Sequence, residues 1–144
     1  TTHAFLIRDP KPMLASLGEK LGEFDLLATG LPQQVEIFEH VVRSTGRIPP
    51  VVDAADLLAA PERILRALCS ALEIEFSPRM LSWPPGPRTT DGVWAKHWYE
   101  RVEQSTGFEV QPADEPVVLA GRLSAIEQEC RPLYAKLREH RLRA

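Results

Sequence analysis

A short apolar run that turns directly into a helix start constrains this chain more than any other feature. Residues 4–7 read Ala-Phe-Leu-Ile, a continuous apolar run typical of a strand buried in a parallel sheet. Asp9 and Pro10 follow at once, and these residue types suit the N-cap and the first position of a helix. Apolar residues then recur at helical spacing to about residue 22: Met13, Leu14, Leu17 and Leu21. The opening therefore predicts a strand, a tight turn and a helix.

The rest of the chain repeats this pattern once and is otherwise helical. A second helix is predicted from Pro32 to the stop signal Ser44-Thr45-Gly46, and Val51-Val52 resembles a second short strand. Further helices are predicted from Pro61 to Leu72, over Ser77–Trp83, from about Val93 to Ser105, and from Glu115-Pro116 almost to the last residue. Because each strand precedes a helix, we predict an α/β fold, mostly helical, with two or three short parallel strands.

The last predicted helix carries a heptad-like apolar seam. Its members alternate by four and three residues: Leu119, Leu123, Ile126, Cys130, Leu133 and Leu137. Pro132 is expected to kink this helix because it removes one backbone hydrogen bond. Such a seam usually packs on its own domain, and self-association is the alternative. The predicted division is residues 1–112 as one unit, with a long helix in 113–144 packing on it.

Charge and composition exclude several function classes. The formal net charge is −3, so no broad basic surface is available for nucleic acid. No apolar run approaches the ~18 residues that a membrane span needs. Cys69 and Cys130 lie outside metal-ligand spacing and are predicted to be buried small apolar residues of a cytoplasmic protein, so we predict no metal.

Arg8 is the residue that points to a binding site. It emerges at the carboxyl end of the first predicted strand, and ligands of open α/β sheets bind at that edge. Its planar fork of donors suits phosphate oxygens, and the helix behind it is expected to add unpaired N–H groups and a positive dipole end. Spacing alone thus predicts an anion site, with an ion pair between Arg8 and Asp9 or a core carboxylate as the alternative.

The stretch Phe-Leu-Ile-Arg-Asp-Pro, with Ser16 eight residues after Arg8, resembles a segment of the sulfotransferase family. In that family a strand runs into Arg, then Asn/Asp-Pro, then a helix bearing a Ser, and both side chains hold the 3′-phosphate of PAPS (3′-phosphoadenosine 5′-phosphosulfate). The resemblance implies a P-loop-type fold, of which residues 1–112 are the C-terminal portion. It implies PAPS or PAP as cofactor, bound by Arg8 and Ser16, and sulfuryl transfer to a hydroxyl or amine of a small-molecule acceptor.

Later segments resemble the family in the same order. Residues 51–76 resemble its passage from strand through Pro-Glu and a helix to a turn, although the family often has Gly where this chain has Glu73. Met80-Leu81-Ser82-Trp83 resembles a tract of bacterial members, and residues 88–96 resemble, less closely, the loop that closes over the 3′-phosphate. The resemblance implies that Arg88 is a third phosphate ligand and that Trp94 and Lys96 shape the cofactor or acceptor pocket.

The sequence contains neither Gly-Lys-Ser/Thr nor Lys/Arg-Ser-Gly-Thr, the tracts that cradle phosphates in P-loop proteins and sulfotransferases. No residue is assigned as the catalytic base. We therefore expect weak binding and little turnover from these residues alone, and we expect the missing strands to come from upstream sequence or a partner chain. Two alternatives stay open: a non-catalytic helical binding or oligomerisation module, and part of another P-loop transferase such as a small-molecule kinase.

Overall fold

The computed structural model describes residues 2–93, 99–109 and 117–143. Two short strands, β1 (Phe5–Ile7) and β2 (Val51–Asp53), pair in parallel, with Phe5 opposite Val51 and Ile7 opposite Asp53. The helices described are α1 (Pro10–Leu21), α2 (Leu31–Thr45), α3 (Ala54–Ala59), α4 (Pro61–Ala71), α5 (Glu100–Gln104) and α6 (Gly121–Arg138). The prediction of an α/β, mostly helical chain with short parallel strands is therefore confirmed.

Each strand ends close to an aspartate that begins the next helix. The Asp9 carboxylate accepts a hydrogen bond from the Lys11 backbone N–H at 2.9 Å, and the Asp53 carboxylate accepts one from the Ala55 N–H at 3.0 Å. A carboxylate at the N-cap satisfies a backbone donor that has no partner within the helix. Both carboxyl strand ends therefore turn into helices at the same edge of the sheet.

The long helix α6 covers one face of the sheet and completes the core. Its seam residues Ile126, Cys130 and Leu137 are buried against β1, α1 and α2. The other core members are Phe5, Ile7, Leu14, Phe24, Leu31, Val35, Phe38, Val51 and Tyr134. The apolar seam of α6 is thus used within its own chain, as predicted, and Cys69 and Cys130 are both buried, free thiols.

The two edges of the sheet differ. At the outer edge of β2, the chain after α6 runs alongside: Arg141 forms a parallel bridge with Val51, and the Leu142 N–H donates to the Val51 carbonyl at 2.8 Å. At the outer edge of β1, the Leu6 carbonyl accepts a hydrogen bond from the Gln34 side chain at 3.3 Å. The Leu6 side chain is 57% exposed. Within the part of the chain that the structure describes, β1 is therefore the more open edge.

The last helix is shorter than predicted. Residues 117–120 are not helical, and α6 begins only at Gly121, because Ala120 is extended (φ −122°, ψ 160°). The helix runs unbroken through Pro132 and ends at Arg138. His140 and Arg141 lie beyond the helix end, and the Arg141 guanidinium donates from Nη1 to the Arg138 carbonyl at 3.4 Å. His140 stacks on Phe38, with ring centroids 5.1 Å apart.

Three further elements differ from the predictions. The helix predicted over Ser77–Trp83 is a single 3₁₀ turn, Pro78–Met80, because Ser82 pairs with Gly107 in an antiparallel bridge. Helix α3 was not predicted, since six residues are too few to show helical periodicity. Of the helix predicted from Val93 to Ser105, the structure describes α5, while residues 94–98 lie outside the described part.

The C-terminal end of α4 contains a strained residue. Glu73 has φ +56°, the one positive φ among the non-glycine residues described. The Ile74 N–H reaches back to the Cys69 carbonyl at 2.9 Å, the hydrogen bond typical of a helix end closed by a left-handed residue. This conformation costs an L-residue with a Cβ about 1 kcal/mol or more, and glycine adopts it freely. Glu73 is also the position at which the family that the sequence resembles often has Gly.

We predict that Glu73→Gly raises the free energy of unfolding by about 0.5–1 kcal/mol, because relief of the strain exceeds the added entropy of the unfolded chain. Urea denaturation measures the change. The matched control is Glu75→Gly, two residues further on, where φ is not positive and glycine is expected to destabilise the protein. A loss of stability in Glu73→Gly as large as in Glu75→Gly would contradict the left-handed conformation.

Candidate functional site

Arg8 lies at the carboxyl edge of the sheet, directly after β1. Its side chain is exposed, and among the described residues its guanidinium has no hydrogen bond or ion pair. The alternative that Arg8 pairs with Asp9 is therefore wrong. A guanidinium without a protein partner at this edge offers all of its donors to a ligand.

The Asp9 carboxylate is occupied by a different arginine. Arg131 of α6 donates from Nη1 to Asp9 Oδ2 at 2.8 Å and from Nη2 to Asp9 Oδ1 at 3.1 Å. The Lys11 backbone N–H also donates to Oδ1. Arg131 makes a second ion pair with Glu127, one turn earlier in α6. The hydrogen bond to Asp9 is the main cause that raises the pKa of Arg131 above its ordinary value.

The first turn of α1 has no N–H group to offer an anion. Pro10 and Pro12 have none, the Lys11 N–H is bonded to the Asp9 side chain, and the Met13 N–H donates to the Asp9 carbonyl at 3.2 Å. The prediction that this helix adds unpaired N–H groups is therefore wrong, and the two prolines are the physical reason. Donors to an anion at the start of α1 must therefore come from side chains.

Ser16 lies on the flank of α1 that faces away from α6. Gly18 faces α6, because an added Cβ there would lie 3.2 Å from Leu123 Cδ1. Ser16 precedes Gly18 by two residues, which places it about 200° further around the helix. Its side chain is half-buried, and its hydroxyl makes no hydrogen bond within the described residues. The hydroxyl is therefore available to a ligand on this flank, roughly 10 Å along the axis from the start of α1.

Asp53 at the end of β2 has a structural role. Only 2% of it is exposed, and its Oδ2 accepts hydrogen bonds from the Tyr134 hydroxyl at 2.6 Å and from Arg138 Nε at 3.2 Å. Burial, followed by the hydrogen bond to Asp53, raises the pKa of Tyr134 to about 12. With its other oxygen capping α3, Asp53 is not available to a substrate.

Of the remaining predicted site residues, the structure describes Arg88 alone. Arg88 is exposed in the loop after the 3₁₀ turn, where its backbone N–H donates to Asp91 Oδ2 at 2.8 Å. Both hydrogen bonds that the structure gives Arg88 are with Asp91. That Arg88 binds the same phosphate as Arg8 therefore stays a prediction. Trp94 and Lys96 lie outside the described residues.

A separate cleft of about 430 Å³ opens at the start of α4. It is lined by Ala60, Pro61, Glu62, Arg63, Leu81 and Phe108, so neither Arg8 nor Ser16 contributes to it. No cluster of three or more His, Cys, Asp or Glu side chains with metal-binding geometry occurs in residues 2–93, 99–109 and 117–143. In the same ranges, no helix combines the length and the apolar character that crossing a bilayer requires.

Comparison with known proteins identifies relatives of this chain. The family model described as "Sulfotransferase domain" matches residues 1–140. Two curated proteins of Arabidopsis thaliana match over 138 residues: "Branched-chain-amino-acid aminotransferase-like protein 1" at 40% identity and "Branched-chain-amino-acid aminotransferase-like protein 2" at 38%. Each match covers 96% of this chain and 24% of the relative, so the chain spans about a quarter of the relatives' length. No solved structure matches the chain significantly.

Tyr134→Phe tests the buried contact with Asp53. Loss of the hydrogen bond is expected to lower the free energy of unfolding at neutral pH by about 1–3 kcal/mol. Because the folded-state pKa of Tyr134 is raised to about 12, above the ordinary ~10, the wild type loses stability as the pH rises through this window. The Tyr134→Phe variant has no hydroxyl to ionise at this position, so it does not lose this part of its stability at alkaline pH. Urea denaturation near neutral pH and near pH 11 measures both effects.

The control is Tyr99→Phe, which removes the other tyrosine of the chain without touching Asp53. It is expected to follow the wild type at both pH values. If Tyr134→Phe loses as much stability on going to alkaline pH as Tyr99→Phe does, the contact with Asp53 is not as the structure gives it.

Proposed function

Because the chain belongs to the sulfotransferase family, we propose that it contributes the 3′-phosphate-binding part of a PAPS-dependent sulfotransferase. The observation that carries this proposal is the free guanidinium of Arg8 at the carboxyl end of β1. Arg8 lies where α/β sheets bind ligands, and its side chain suits phosphate. The carboxylate next to it in the chain, Asp9, is already paired with Arg131.

In the proposed complex, Arg8 donates two parallel hydrogen bonds to oxygens of the 3′-phosphate. Charge-assisted hydrogen bonds of this kind each contribute about 1.5–3 kcal/mol, so Arg8 supplies most of the discrimination for the phosphate. Ser16 donates its hydroxyl to the same phosphate from the flank of α1. The positive end of the α1 dipole adds a smaller attraction to an anion at this edge.

The ligand in this proposal lies beside α1. Since the first turn of α1 has no free N–H group and Ser16 follows about 10 Å further along the axis, a phosphate touching both side chains must sit along the flank of α1. In this arrangement the long Arg8 side chain reaches back over that flank. The 5′-phosphosulfate then extends away from α1, where other parts of the protein position it for transfer.

Three further residues belong to this proposal as ligands or lining. Arg88 would join the phosphate if the loop of residues 84–93 closes over it, because its guanidinium has no ion pair among the residues described. Trp94 and Lys96 would line the cofactor or acceptor pocket. We also propose that the protein transfers a sulfuryl group to a hydroxyl or amine of a small molecule. The division of the chain into residues 1–112 and 113–144 is likewise a proposal. An oligomerisation function through the α6 seam is not favoured, because that seam is buried within the chain.

We predict that Arg8→Ala weakens binding of PAP (3′-phosphoadenosine 5′-phosphate) by about 10- to 100-fold, the effect of losing charge-assisted hydrogen bonds. Binding of adenosine 5′-phosphate, which lacks the 3′-phosphate, is expected to change little. Ser16→Ala is expected to weaken PAP binding by about 2- to 10-fold, since a neutral donor contributes less. Isothermal titration calorimetry with both nucleotides measures each dissociation constant.

The matched control is Arg43→Ala, an exposed arginine near the end of α2 and therefore at the opposite edge of the sheet. Among the residues that the structure describes, it pairs only with Glu39, and this ion pair is exposed. It is expected to bind PAP as the wild type does. A wild type that binds PAP no more tightly than adenosine 5′-phosphate, or an Arg8→Ala variant that binds PAP normally, would refute the proposed function.

A further inference from the structure

Asp9 presents an electrostatic problem at the proposed site. It follows Arg8 in the chain, and its carboxylate carries a negative charge beside the position proposed for a phosphate. A carboxylate there repels the ligand and offers Arg8 a competing partner. The family-like Arg-Asp-Pro stretch therefore binds an anion well only if the Asp9 charge is compensated elsewhere.

The structure shows which residue provides that compensation. Arg131 donates hydrogen bonds to both Asp9 oxygens, at 2.8 and 3.1 Å, and the Lys11 N–H also donates to Oδ1. Glu127 holds the Arg131 guanidinium from its own helix. The Asp9 oxygens therefore point at α6, and Arg8 is left without an intramolecular partner among the described residues.

The contact between Arg131 and Asp9 is not needed to hold the helices in place. The two side chains are 42% and 37% exposed, and ion pairs of that exposure contribute little to stability. Helix α1 begins at Asp9 through the Lys11 N–H without help from Arg131. Helix α6 is fixed by its buried seam residues Ile126, Cys130 and Leu137. A role for this ion pair in binding therefore explains it better than a role in folding.

We propose that Arg131 is a positioning residue for the 3′-phosphate site: it occupies both oxygens of Asp9, which keeps Arg8 free for the ligand. Arg131 does not touch the ligand and acts through Asp9 and Arg8. This inference rests on the proposed function, because it assigns Arg131 to the same phosphate site. It adds an arginine of α6 to a site that the sequence predicted from residues 8, 16 and 88.

The test compares the preference for PAP over adenosine 5′-phosphate in a set of variants of the purified protein. Arg131→Ala leaves Asp9 charged and unpaired, and is expected to lower the preference for PAP by about three- to tenfold. Adding Asp9→Asn to Arg131→Ala removes that charge while Asn still caps α1, and is expected to restore the preference. A purely structural role of Arg131 would show no such rescue.

Lys136→Ala is the matched control for Arg131→Ala. It removes one cation from the same helix at similar exposure, 48% against 42%, and leaves Glu39 with its exposed ion pair to Arg43. It is expected to leave the preference for PAP unchanged. If Arg131→Ala does not fold, Arg131→Gln removes the charge with less loss of packing and makes the same comparison.

The outcomes separate this inference from the proposed function. If Arg8→Ala lowers the preference for PAP but Arg131→Ala does not, or if Asp9→Asn fails to restore it, the role of Arg131 is refuted and the proposed function stands. If Arg8→Ala has no effect, the proposed function is refuted, and the role of Arg131 with it. A loss in Arg131→Ala that Asp9→Asn reverses supports both.

Discussion

A carboxylate buried at the end of β2 determines how this chain is assembled. Asp53 is 2% exposed, and a charge removed from water to that extent is tolerated only when donors surround it. Its donors come from two elements: the Ala55 N–H begins α3, and the Tyr134 hydroxyl and Arg138 Nε belong to α6. These contacts set which residues of α6 lie over the end of β2, while the buried seam residues of α6 hold it on the core.

With Tyr134 hydrogen-bonded to Asp53, the position of Arg131 follows from the rise of the helix and the spacing of the strands, which are nearly equal. Three residues of α-helix rise about 4.5 Å, and neighbouring strands lie about 4.8 Å apart. A helix that crosses the strand ends with Tyr134 above β2 therefore carries Arg131 above the end of β1, where Asp9 stands. The contact at 2.8 Å between Arg131 and Asp9 fits this arrangement, and so does the bridge of Arg141 to Val51 on the far side of β2. One helix therefore contacts the aspartates that follow or end both strands.

Local patterns in the sequence were sufficient for the elements that depend on neighbouring residues. The two strands, the cap at Asp9 and the stop of α2 near Gly46 follow from runs, periodicity and residue type. The contacts of α6 could not be predicted in this way, because Arg131 and Asp9 are 122 residues apart and no local pattern couples them. The first turn of α1 is a different case: Pro10 and Pro12 are visible in the sequence, and their missing N–H groups already exclude a backbone anion site.

These two prolines imply a particular kind of anion recognition at the proposed site. A helix start with free N–H groups binds many anions, because its donors point along the axis and suit any oxygen. Here the first turn has no free N–H group, so selectivity depends on the planar fork of Arg8 and on the Ser16 hydroxyl further along α1. Such a site is sensitive to charge on nearby side chains, since side-chain donors can be captured by a neighbouring carboxylate. The ion pair between Arg131 and Asp9 removes the carboxylate closest in sequence to Arg8, and for that reason a residue of the last helix belongs to the account of a site at the first strand.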